Sequence, residues 1–197
     1  MAKPTQLTVD QVYGVLAELQ AQTDRGAAII AASVLDEMLE VLLLKRLCPL
    51  SNKHYEALFN RMAPLSSFSA KIEMAFALGL LSENGCGQLH TIRDVRNKFA
   101  HRIEALSFDH PDIQEELKKA ASRSPALAIK SREGFLIQFR IIALLLAAET
   151  RDDIQIKQLG ETHEELFLDL ATQVRNIKQP GSETNPLPPG APWLEKP

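Results

Sequence analysis

The chain predicts an all-α fold, a single-domain bundle of seven or eight helices with a disordered Pro-rich C-terminal tail. Three observations lead there. Apolar residues recur at helical spacing in segment after segment. No stretch alternates apolar and polar residues as a half-buried strand does. Glycine (9 residues) and aromatic residues (6%) are scarce beside a 45% hydrophobic share, a balance that leans away from β-rich folds. At 197 residues the chain has the size of one domain and can bury a core without covalent staples.

The elements follow in order. Thr8 and Gln11 have the spacing of a capping box, and Val12, Val15, Leu16 and Leu19 then recur at helical intervals, which predicts a first helix over about 8–23. Arg25 to Leu47 is nearly all helix former, and Cys48-Pro49 ends it because proline disfavours helix in the residue before it. Apolar residues cover most of the circumference of this central helix, and Ser33, Asp36, Glu37 and Glu40 gather in one narrow polar stripe. A shorter helix follows Ser51, and Pro64 interrupts the chain after it. SSFSAKIEMAFALGLLS then restarts from a serine cap, with Phe68, Ile72, Ala75, Phe76 and Leu80 on one face.

Ser82 to Gly87 (SENGCG) predicts a turn, and the next helix runs through DVRNKFAHR, Asp94 to Arg102. PDIQEELKKAA has Pro111 suited to its first helical position. SREGFLIQFRIIALLLAAET is a strongly apolar helix and ETHEELFLDLATQVRNIK a last amphipathic one. From 180 onward lie six of the eleven prolines, whose fixed φ angles and missing amide donors prevent regular structure. The organisation expected is therefore a helical domain over 8–178 and a tail over 179–197.

Composition narrows the function. The net charge is −3, so a nucleic-acid coat is missing and any DNA or RNA contact would need a local patch. Two cysteines occur, Cys48 after an apolar segment and Cys86 in the Gly-flanked turn, and neither falls in a Cys/His ligand pattern. His54, His90, His110 and His163 are scattered without ligand spacing. No metal or cofactor is expected. The N-terminus has no signal-peptide core, and the longest apolar run, Ile141 to Ala148, is far short of about 20 spanning residues, so a cytoplasmic protein is expected. No phosphate loop, GxSxG elbow or HExxH occurs, which removes conventional hydrolase and nucleotide-cofactor readings.

DVRNKFAHR carries the densest polar chemistry. On a helical projection Leu89, Ile92, Val95, Phe99 and Ile103 form its apolar face, and Arg96 falls at the border. A guanidinium there calls for a carboxylate, and the acidic stripe of the central helix, Asp36, Glu37 or Glu40, would supply a structural ion pair. Arg93, Asn97 and His101 step along the adjacent strip at intervals of four, so with Arg96 they form a candidate binding groove. Arg96, Asn97 and His101 also suit metal-independent RNA cleavage: an imidazole can move a proton, an arginine can stabilise a phosphorane, and an amide can orient either. Direct operator binding would rest on Arg93, Lys98 and Arg102, without a helix-turn-helix signature.

RGAAIIAASVLDEMLEVLLLKRL, PLSSFSAKIEMAFALGLLS and IRDVRNKFAH, in that order, resemble the MltR family of bacterial mannitol operon repressors over about residues 10–175. The resemblance implies an all-helical transcriptional regulator acting through a protein partner, and a homodimer is expected. Arg96-Asn97-x-x-x-His101 is also similar to the R-x4-6-H motif of the HEPN superfamily. That likeness implies an endoribonuclease or RNA-binding module with Arg96 as phosphate stabiliser and His101 as proton carrier. The regulator is the expected function, without enzymatic activity, and the ribonuclease is the alternative.

Overall fold

The computed structural model describes residues 4–60, 62–123 and 131–150. Among them are seven α-helices and no strand: α1 Val9–Ala21, α2 Asp24–Arg46, α3 Asn52–Phe59, α4 Phe68–Ala77, α5 Glu83–His101, α6 Pro111–Arg123 and α7 Arg132–Glu149. The helix expected over 161–178 and the Pro-rich tail lie outside the described residues.

Local chemistry explains most boundaries. Thr8 and Gln11 form both halves of the capping box ahead of α1. Thr23, Ser51, Ser67 and Ser131 cap α2, α3, α4 and α7 by accepting an orphan amide with the side-chain oxygen. At α6, His110 Nδ1 accepts from the Asp112 amide at 3.2 Å while Pro111 fills the first position.

α2 is the axis of the bundle and packs against α1, α4, α5 and α7. Ala27, Ala28, Ala31 and Ala32 are fully buried on it, and such short side chains let neighbouring helices close in. Leu35, Leu39, Leu42 and Leu43 continue the core toward its C-terminus. At the other end the Arg132 guanidinium donates to the carbonyls of Leu19, Gln20 and Gln22 and to Asp24 Oδ1. Asp24 Oδ2 in turn accepts from the Phe108 amide. One Arg-Asp pair thus satisfies the end of α1 and ties it to α7 and to the α5–α6 connection.

Three expectations change. SENGCG is not a turn. α5 begins at Glu83, with Ser82 as its cap accepting from the Gly85 amide at 3.1 Å. Two helical glycines cost about 1 kcal/mol each, and the serine cap together with Glu83 at the positive helix end offsets much of it.

α4 stops at Ala77, because Gly79 adopts φ 70° and closes the helix with bonds from Gly79 N to Phe76 O and from Leu80 N to Ala75 O. Phe76, expected at helical spacing with Phe68, Ile72 and Ala75, lies inside α4 but is 44% exposed while those three are buried. Ile103, also expected on an apolar face, is fully exposed: α5 ends at His101, and Arg25 of α2 holds the carbonyls of Arg102 and Glu104, turning the chain away. No described helix is long and apolar enough to cross a membrane.

Candidate functional site

α5 is anchored by Leu89, Ile92, Val95 and Phe99, all fully buried, so its polar residues are held at fixed angles around that stripe. They divide into three places.

The first is the acidic stripe of α2. Its cation is Lys71 of α4, not Arg96: Nζ lies 3.0 Å from Asp36 Oδ1 and 2.6 Å from Glu40 Oε2, and the lysine is 4% exposed. Tyr55 of α3 donates its hydroxyl to Glu40 Oε1 at 2.6 Å. Glu37 points outward and is exposed. Burial raises the Asp36 carboxyl above the usual aspartate range, and Lys71 offsets this only in part. Arg96 lies near enough to act on Asp36 through its charge, but its guanidinium donates to Asn97 Oδ1 at 3.1 Å. The position of Arg96 at the border of the apolar face was legible. Which cation reaches the stripe depended on how α4 docks.

The same cluster pushes the Tyr55 phenol up to about 12, first through burial and then through its bond to Glu40. A folded value above the unfolded value of about 10 means that this contribution to stability is fully present below pH ~10. It is lost as pH rises through the folded value. Tyr55→Phe should remove the late phase of a spectrophotometric tyrosine titration and cost about 2 kcal/mol in urea unfolding. Retention of that late phase in the variant would refute the assignment.

The second place is a groove of about 480 Å³ between α5 and α6, lined by Asp94, Asn97, Lys98, His101, Arg102 and Glu116. The structure brings Asn97 and His101 into it and leaves Arg93 and Arg96 out of the lining. Arg93 turns toward α4, donating to Ser69 Oγ at 2.7 Å and to Asp94 Oδ1 at 2.6 and 3.0 Å. Lys98 pairs with Glu116 at 3.3 Å, and Arg102 pairs with Asp112. The groove is therefore charge-compensated, with an exposed imidazole at its edge. It can offer hydrogen bonds, yet it is poorly suited to gripping a polyanion.

The third place was missed from the sequence. With α5 starting at Glu83, Cys86 and His90 stand one turn apart on one face, and Glu73 of α4 comes across to them. His90 Nε2 lies 2.9 Å from Glu73 Oε1. All three line a cavity of about 790 Å³ between α4, α5 and α7. The available signal was the C-x-x-x-H spacing, hidden once Cys86 was read into a turn.

No protein-family model and no curated protein matches the chain. Among solved structures, it is similar to MtlR in the X-ray structure of the MtlR-HPr complex from Escherichia coli. The TM-score is 0.57 and the identity 16%, over 69% of this chain and 98% of that one. The likeness is one of fold.

Proposed function

We propose that this chain is a cytoplasmic transcriptional regulator of the mannitol-operon repressor type, which acts by binding another protein rather than by catalysis. The observation that carries the reading is the likeness of fold over 98% of the chain in the structure of MtlR, a mannitol operon regulator solved in complex with HPr. The three sequence segments that resemble that regulator family support it from a separate direction. HPr of the same host is the partner to test first.

The end of α5 is the proposed contact surface. Fully exposed Ile103 directly follows His101 and Arg102 in the chain, two residues that line the polar, charge-compensated groove. An apolar anchor with a polar rim is the usual anatomy of a protein interface. Titration calorimetry of the full chain with host HPr should give saturable binding. Ile103→Asp should weaken it by about tenfold or more, a loss of roughly 1.4 kcal/mol or above. That exposed substitution should leave the melting temperature unchanged. Absence of binding at any attainable concentration would remove HPr as the partner. Whether this chain forms a homodimer belongs to the same proposal, and sedimentation at several concentrations decides it.

A second reading has one observation in its favour: Arg96 is hydrogen-bonded to Asn97, and Asn97 and His101 line one groove, so the three are contiguous. That arrangement could serve metal-independent RNA cleavage. Against it stand the paired cations and the net charge of −3. If it holds, cleavage by the wild type in the presence of chelator disappears in Arg96→Ala/His101→Ala. A pure wild type without cleavage ends this reading.

A further inference from the structure

We infer that Cys86, His90 and Glu73 form a binding site for a divalent transition-metal ion of the zinc class, whose open coordination position faces the cavity between α4, α5 and α7. The ligand atoms of the three residues lie within 4.8 Å of one another. Around a tetrahedral zinc with bonds of about 2.0–2.3 Å, neighbouring donors stand roughly 3.3–3.6 Å apart. Small side-chain rotations therefore close the set around an ion. Two of the donors share a rigid helical face, and the third sits on a packed neighbouring helix, so the backbone need not move.

Among the described residues, the one polar contact of the imidazole is to a residue of the same set. Its Nε2 meets Glu73, and its Nδ1 is buried with no hydrogen-bond partner. A buried polar atom left without a partner is uncommon in native folds and asks for an explanation.

The donor set selects the ion. A thiolate, an imidazole and a carboxylate suit zinc and its neighbours, whereas calcium and magnesium take oxygen ligands alone. Binding exchanges the thiol proton for the metal: the S–H bond breaks, the S–metal bond forms, and one proton leaves to solvent. Affinity should consequently rise with pH.

Glu73 is 63% exposed and gives the ion an entry path. Three protein donors leave one position for water or an incoming ligand, the pattern of reactive or sensing sites rather than closed structural ones. Leu80, Leu81, Ile142 and Leu146 give the cavity beyond it an apolar wall, and Glu149 an acidic one.

The test uses the full chain, reduced and stripped of metal, titrated with Co2+ and then Zn2+. The expected result is one Co2+ per chain with a thiolate-to-cobalt charge-transfer band, bleached by Zn2+. Cys86→Ser should abolish the band, and Cys48→Ser should retain it. His90→Ala and Glu73→Gln should each weaken binding by on the order of tenfold or more. Should Cys86→Ser fail to fold by circular dichroism, protection of the wild-type Cys86 thiol from alkylation by one equivalent of Zn2+ is the replacement measurement. A missing charge-transfer band, a band that survives Cys86→Ser, unchanged affinity in His90→Ala, or no protection from alkylation would each overturn the inference. None of these readouts involves a protein partner, so the result stands apart from the fate of the regulator reading.

Discussion

Lys71→Ala is expected to destabilise the fold by about 3–5 kcal/mol, the range for removing one partner of a buried ion pair. Lys71 is 4% exposed and serves two carboxylates, Asp36 at 3.0 Å and Glu40 at 2.6 Å. Asp36 and Glu40 lie four residues apart on one face of α2, so without the ammonium they repel each other in a poorly solvated place. Lys71→Met separates charge from packing. It keeps an apolar stem of similar length and should still lose most of that amount, because the uncompensated carboxylates remain. Asp36→Asn should stay within about 1 kcal/mol of wild type, since burial already disfavours its ionised form and Lys71 keeps Glu40.

The loss should also depend on pH in a defined direction. Asp36 has a folded value raised above its unfolded one, so the folded chain binds more protons there and stability falls as pH rises through the folded value. Removing Lys71 takes away its charge and its hydrogen bond, two of the three influences that lower it, and leaves only the weaker one of Arg96, so the carboxyl moves further up. The deficit of Lys71→Ala is therefore smallest in mild acid, where the carboxyl can take up a proton, and fullest near pH ~7. Urea midpoints at the two conditions measure it. An equal deficit at both would mean that the lost interaction is packing rather than charge.

Local signals and tertiary choices separate cleanly along this chain. Thr8 with Gln11, Ser51, Ser67 and Pro111 announce helix starts because a cap or an N1 proline acts within three residues of itself. The polar stripe on α2 was legible as well, since helical projection needs only spacing. What projection lacks is the identity of the neighbour. Lys71 sits inside an ordinary helical run, and nothing local distinguishes it from Arg96 as the cation of the stripe. Arg93 shares its strip with Asn97 and His101, yet Ser69 of α4 draws it aside. SENGCG misled for a different reason: its residues favour turns individually, but the Ser82 cap and the packing of α5 outweigh that preference. That one misreading concealed the relation of Cys86 to His90, so a boundary five residues out of place hid a whole constellation.

Phe99→Ala carries the other large effect, an expected loss of about 3–5 kcal/mol. Phe99 is fully buried and meets Phe108 edge to face at 5.1 Å, and Phe108 meets Phe135 at 5.1 Å. These rings join α5, the α5–α6 connection and α7, and they lie beneath the segment that carries Asn97 and His101. Truncation leaves a cavity among rings that belong to three separate elements, so collapse around it is limited. Phe99→Leu retains most of the volume and should cost clearly less, below about 2 kcal/mol.

The location of the damage is as informative as its size. Amide exchange should quicken over residues 97–108 in Phe99→Ala, while the N-terminal half of α5, held by Leu89 and Ile92, should keep its protection. Co2+ binding at Cys86 should then survive the substitution even as the His101 end loosens. A uniform rise in exchange along α5 would show that the helix opens as one unit, with no independence between its two ends. A cost below 1 kcal/mol would show that the three rings do not hold the C-terminal end of α5 in place.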